Sequence, residues 1–160
     1  MKILMVCLGN ICRSPIAEGV LQHKANAAGF DWLIESAGTN GLHNGEQPHH
    51  LSQKICRQNG MDISHQVSRK VSVTDFDTYD LIFAMSKDVL SDLQAIRWNT
   101  SDAQKISLLL EQTHPGMRMD VPDPWYGNED GYIEVFAMIN AACDAIINAH
   151  QNNKLYTPYG

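Results

Sequence analysis

Apolar and polar positions follow two rhythms along this chain, and the places where one gives way to the other outline its elements. Residues 2–6, Lys-Ile-Leu-Met-Val, are a short aliphatic run bounded by a turn, which predicts a buried strand. Residues 14–28 set Ile16, Val20, Leu21 and Ala25 on one helical face, with Ser14 as the expected N-cap, Pro15 in the first turn and Gly29 as the stop. A second strand is expected over 32–35, running out into Ser36-Ala37-Gly38, and residues 39–50 are Gly-, Asn- and His-rich without periodicity, which predicts a loop. Residues 51–59 read as a helix closed by Gly60, while 63–70 are polar and ambiguous. A short helix over 72–76, a strand over 79–85, a helix from Ser86 to about 96 and a strand over 105–110 follow. Residues 112–124 form a long loop with Pro115, Pro122 and Pro124. The clearest helix is 132–147, whose stripe is Tyr132, Val135, Phe136, Ile139, Ala142, Cys143 and Ile146. The polar end, 152–160, is expected to fray.

Strands alternating with helices predict an α/β fold: a four-stranded parallel sheet, doubly wound, with helices on both faces in a flavodoxin-like topology. Ligands of such sheets bind at the carboxyl ends of the strands, where the strand order switches. No internal repeat or linker divides the chain, so one domain is expected over 1–150. Hydrophobic residues at 44% and charged residues at 19% suit a soluble globular protein. A net charge of −6 argues against a nucleic-acid surface, and no apolar stretch approaches a membrane span. The N-terminal apolar run is too brief for a secretory signal, so the expected compartment is the reducing cytoplasm, with Cys7, Cys12, Cys56 and Cys143 as thiols.

Candidate chemistry gathers where the first strand ends. Cys7-Leu8-Gly9-Asn10-Ile11-Cys12-Arg13-Ser14-Pro15 reads as strand end, tight loop and helix start. Gly9 and Asn10 tolerate positive φ, so the backbone can curl there. A loop curled before a helix turns several N–H groups inward and adds the helix dipole, which makes a cradle for a phosphate-like dianion. Arg13 can add two parallel charge-assisted hydrogen bonds, and the same field favours the Cys7 thiolate, the nucleophilic form. Cys-x5-Arg spacing alone is weak, because a free cysteine ending a strand is usually a small buried hydrophobe. The strand before it and the helix after it are what give the spacing weight.

The stretch from Val6 to Pro15 resembles the phosphate-binding loop of the low-molecular-weight protein tyrosine phosphatases, and Asp123-Pro124-Trp125-Tyr126-Gly127 resembles that family's second motif. The resemblance implies a metal-independent hydrolase of protein phosphotyrosine or small aryl phosphates that works through a phosphocysteine, with no cofactor. It implies that Cys7 is the nucleophile, that Leu8, Gly9, Asn10, Ile11, Cys12 and Arg13 hold the phosphate, and that Asp123 is the general acid and then base. Read without the family, Asp123 is a turn residue before proline, and Asp120 is the second candidate acid. Ser14 matches the hydroxyl that assists the thiolate, while Asn10, Ser36 and His65 match positions that hold the loop's shape. The family usually carries tryptophan on the pocket wall where this chain has Leu42; Trp125 and Tyr126 keep the aromatic wall on the other side, suited to a phenyl phosphate.

Two rivals share the anion loop. Arsenate reductases relay electrons through further cysteines on a mobile segment, whereas here Cys56 has no neighbour in sequence and Cys143 lies within a predicted helix. Phosphoarginine phosphatases typically carry Thr where this chain has Ile11. A purely phosphate-binding module would need no acid. Cys7 and Cys12 fall within zinc-ligand spacing but lack a second pair, and His43, His49 and His50 read as a solvated loop cluster, so no metal is expected. The family implies another role for Cys12, a protective disulfide with Cys7. On that basis peroxide should inactivate a Cys12→Ser variant irreversibly; full recovery of aryl phosphatase activity with thiol would contradict it.

Overall fold

Ile3, Met5 and Cys7 enter the core on one side of the first strand and Leu4 and Val6 on the other, all of them buried. A strand apolar on both faces belongs at the centre of a sheet covered on both sides, and that is where the computed structural model, which describes residues 1–97 and 99–154, places it. The sheet order is β2-β1-β3-β4, with every pairing parallel. Its strands are β1 (Lys2–Cys7), β2 (Leu33–Gly38), β3 (Leu81–Ala84) and β4 (Ile106–Leu108). The helices are α1 (Arg13–Ala27), α2 (His50–Gln58), α3 (Asp75–Thr78), α4 (Lys87–Ile96) and α5 (Glu129–Gln151).

One core layer packs α1 and α5 onto the sheet around Ile16, Val20, Leu21, Ile139, Cys143 and Ile146; the other gathers Phe76, Val89 and Leu93 over Leu4, Val6 and Ile82. The expected doubly wound α/β sheet is therefore the observed fold. Because the chain leaves β1 toward β2 on one side and returns to β3 on the other, the strand order reverses at the end of β1, immediately before the 7–13 loop.

Several boundaries differ from the sequence reading, each for a local reason. Residues 109–112 tighten into a 3-10 turn that buries Leu109 and Leu110, so β4 is shorter than 105–110. The last helix begins at Glu129, where the Asn128 side chain accepts from the Asp130 N–H, and continues to Gln151. It is long and apolar enough, by length and composition alone, to cross a membrane, which the sequence reading did not expect of any stretch. Its apolar stripe is nevertheless buried in the core shared with α1. The fraying expected of 152–160 falls largely on residues 155–160, outside the described residues.

The ambiguous 63–70 segment is an irregular strap. It pairs with β2 through the Gly38 N–H on the Arg69 carbonyl and the Val71 N–H on the Gly38 carbonyl, at 2.9 and 2.8 Å. Gly38 lies directly under the 7–13 loop. A Cβ there would stand 2.8 Å from the Leu8 carbonyl oxygen and 2.9 Å from the Asn10 nitrogen, both backbone atoms that cannot step aside alone. Gly38→Ala is therefore expected to cost about 1–3 kcal/mol of stability by overpacking and, by displacing the loop, to lower the aryl phosphatase activity that the resemblance implies. Urea unfolding and kcat/KM on the same preparation check both effects.

Candidate active site

The 7–13 loop turns on Asn10, whose φ of 55° is left-handed, a conformation asparagine tolerates better than most residues. That turn aims the Asn10 backbone N–H at the Cys7 sulfur, 3.2 Å away. The Asn10 side chain then fixes the turn from behind. Its Nδ2 donates to Ser14 Oγ at 2.8 Å and to Ser36 Oγ at 2.9 Å, and its Oδ1 accepts the Arg69 backbone N–H at 3.1 Å. Ser14 Oγ in turn lies 3.0 Å from Cys7 Sγ.

Two sequence expectations are corrected here. Ser14 is not the N-cap, because α1 already begins at Arg13 with Cys12 in the cap position; this frees the Ser14 hydroxyl for the sulfur and for Asn10. His65 is exposed and, among the described residues, makes no hydrogen bond to the loop. The bracing comes instead from the strap beyond it, through the Arg69 amide, the Ser68 hydroxyl on the Gly9 carbonyl and the Gln66 amide on the Pro15 carbonyl.

Arg13 is 4% exposed, and its Nη1 donates to the Val121 carbonyl at 3.0 Å. Its Nη2 lies 3.7 Å from Asp123 Oδ2, an open ion pair across the site. The other oxygen, Asp123 Oδ1, accepts the Trp125 backbone N–H at 3.0 Å. Asp120, the second candidate acid, is engaged elsewhere and accepts from both the backbone N–H and Nζ of Lys87. Cys7, Leu8, Gly9, Ile11, Cys12, Arg13, Leu42, His43, Asp123, Trp125 and Tyr126 all line one cavity of about 340 Å³.

Around its mouth Leu42 and Tyr126 are 81% and 93% exposed, while Trp125 is held at 41%. Of the three histidines expected to be solvated, His50 is exposed, whereas the rings of His43 and His49 pack against Trp125 at centroid distances of 5.3 and 5.4 Å. Cys12 is buried beside the Tyr132 hydroxyl, 3.4 Å away, and burial pushes its thiol up to about 12. Among the described residues no group of three or more His, Cys, Asp or Glu is placed to hold a metal ion.

This site belongs to a chain whose residues 2–155 match the family model for the low molecular weight phosphotyrosine protein phosphatase. The chain belongs to that family. A phosphatase of that name from Schizosaccharomyces pombe is 37% identical over 142 residues, covering 86% of this chain and 89% of the relative. A crystal structure of a protein tyrosine phosphatase from Entamoeba histolytica superposes with a TM-score of 0.90 at 35% identity, over 97% of this chain and 99% of that one. A Drosophila arginine phosphatase superposes at 0.88 with 29% identity, over 94% and 98%.

Within this family member, one brace escaped the sequence reading. Glu18 Oε1 accepts the Ser36 hydroxyl at 2.7 Å and so stands behind the Asn10 network. The only signal was a carboxylate one helical turn after Ser14, which by itself points nowhere. Burial, with a smaller push from Glu35, raises this carboxyl from 4.5 to about 7, against the Ser36 hydrogen bond and Arg69. In the unfolded chain it ionises near 4.5, so between those values the folded state holds the extra proton and stability falls as pH rises. Glu18→Gln should flatten that fall while keeping an acceptor for Ser36. Urea unfolding from pH 4.5 to 8 tests this, and an unchanged slope in the variant would assign the effect elsewhere.

Proposed function

We propose that Cys7 is the nucleophile, Arg13 and the loop amides are the phosphate clamp, and Asp123 is the proton donor of a phosphotyrosine phosphatase that works through a phosphocysteine. The observation that carries this assignment is the convergence of three groups on one cavity. The Cys7 sulfur sits under the Asn10 N–H and the Ser14 hydroxyl, Arg13 lies beside it, and the Asp123 carboxyl faces Arg13 from the opposite loop.

In the first step the Cys7 thiolate attacks phosphorus and the bond to the tyrosine oxygen breaks. Asp123 protonates that oxygen, so a neutral phenol leaves. The Arg13 guanidinium and the inward N–H groups hold the equatorial oxygens, where charge is spread in the transition state. The Ser14 hydroxyl, next to sulfur, donates to the thiolate both before attack and as it departs. In the second step Asp123, now ionised, takes a proton from water as that water attacks phosphorus, and the S–P bond breaks to release phosphate and the thiolate.

The occupant is a phosphotyrosine protein or a small aryl phosphate, and the compartment is the cytoplasm. We place the whole activity in one domain over 1–150. Ile11 on the cavity wall and the Trp125 indole at its mouth favour an aryl group over a guanidinium; the arginine phosphatase among the similar structures makes phosphoarginine the comparison that matters.

Cys7→Ser should abolish aryl phosphate hydrolysis. Asp123→Ala should slow kcat/KM by about 10²-fold or more for a poor leaving group and much less for a good one. Turnover of phosphotyrosine, phosphoarginine and arsenate should fall in that order. Preferred turnover of phosphoarginine, or thiol-dependent arsenate reduction, would displace this assignment.

A further inference from the structure

Asp123 is held by a residue that is itself held by two imidazoles. The Trp125 backbone N–H donates to Asp123 Oδ1, so the carboxyl moves with Trp125. The indole is 41% exposed and not anchored in the core. Its grip comes from His43, at 5.3 Å and 52°, and His49, at 5.4 Å and 72°.

Both imidazoles are fixed in their turn. His43 Nδ1 is 2.5 Å from Glu46 Oε2, and its Cδ2 edge lies so close to Gly9 that a Cβ there would stand 3.0 Å from it. His49 Nδ1 accepts the Leu51 N–H at 3.1 Å, its ring stacks on Tyr132 at 5.3 Å, and its own backbone N–H donates to the Ile11 carbonyl at 2.8 Å. The His43 and Trp125 rings are also not two jaws of a substrate slot. A phenyl ring between them would need a stacking distance of about 4.5 Å on each side, well beyond their 5.3 Å separation.

We propose that His43 is a positioning residue for Asp123. Wedged between Gly9 on the nucleophile loop and the Trp125 indole on the acid loop, its imidazole sets how far the carboxyl stands from the leaving oxygen. Glu46 keeps that wedge in place through Nδ1. This proposal rests on the assignment of Asp123 as the acid, and its test separates the two.

His43→Ala, His43→Phe, Glu46→Gln, Asp123→Ala and the His43→Ala/Asp123→Ala double variant are assayed on phenyl phosphate, a poor leaving group, and p-nitrophenyl phosphate, a good one. The readout is kcat/KM, which reports the steps through phosphocysteine formation. His43→Ala should lose about 5- to 10-fold on phenyl phosphate and less than about 2-fold on p-nitrophenyl phosphate. His43→Phe, which keeps a ring against Trp125, should restore most of the loss. Glu46→Gln, an exposed change that removes no ring but weakens the hold on His43 Nδ1, should show the same selectivity at smaller amplitude, and it carries the test should His43→Ala not fold.

The double variant should be no slower than Asp123→Ala alone. Equal losses on both substrates, or a further loss in the double variant, would overturn the positioning role. If Asp123→Ala itself slowed both substrates alike, the acid assignment would fail first and take the positioning role with it.

Discussion

One left-handed residue governs the surroundings of the Cys7 sulfur. An L-residue at positive φ costs about 1–2 kcal/mol, and asparagine less than most, while a net intramolecular hydrogen bond returns about 1 kcal/mol. Asn10 makes three through its side chain, to Ser14, Ser36 and the Arg69 amide, so the turn is held by more than it costs. The result is directional: with φ at 55° the Asn10 N–H faces the Cys7 sulfur. Truncating the side chain would do more than remove three bonds. It would leave the Arg69 backbone N–H without its acceptor, at a cost of about 1–3 kcal/mol, while Ser14 and Ser36 would keep only their contacts with Cys7 and Glu18.

The sheet carries that order across to the loop that holds Val121 and Asp123. The Met85 N–H donates to the Val6 carbonyl at 2.9 Å, the Val121 N–H to the Met85 carbonyl at 2.8 Å, and Arg13 Nη1 to the Val121 carbonyl at 3.0 Å. The ladder between β1 and β3 thus continues sideways, beyond the last strand pair, until it ends on the guanidinium. Cys7 and Asp123 come from segments more than a hundred residues apart, yet the link between them is mostly backbone. Side-chain substitutions along it should therefore disturb the site less than changes to backbone geometry, and Gly38, where a Cβ meets only main-chain atoms of the loop, is the sharpest instance.

What was legible in the sequence had a local cause. The two-sided apolar run of β1, the curl at Asn10 and the 3.6-residue stripe of α5 are each set by neighbouring residues, and each appears where it was expected. What was not legible depends on contacts across the chain. The Arg69 amide braces Asn10 with a backbone group that has no side-chain signature, and the strap that carries it has no periodicity to reveal it. His65, which fits a pattern on paper, stands exposed, and the loop is braced instead by the Gln66 and Ser68 side chains and the Arg69 main-chain N–H. His43 and His49 looked solvated because nothing in their own stretch announces Trp125, some eighty residues on, as the surface they cover.

Charge makes the last distinction. The protein carries a net −6, so long-range attraction does not bring a dianion to it; the local field of the loop must. Two arginines approach that loop, and their partners separate them. Arg69 is bound bidentately to Asp75, at 2.9 and 3.1 Å, and also reaches the Tyr79 hydroxyl, so its charge is committed to holding the strap. Arg13 is more deeply buried but commits one N–H to a neutral carbonyl and meets its carboxylate only at 3.7 Å. A guanidinium presents its donors in a planar fork, and a fork already bound to a carboxylate cannot also grip phosphate in that geometry. The open pair with Asp123 thus leaves the Arg13 fork free for an anion, which is what fits Arg13, and not Arg69, to the proposed phosphate clamp.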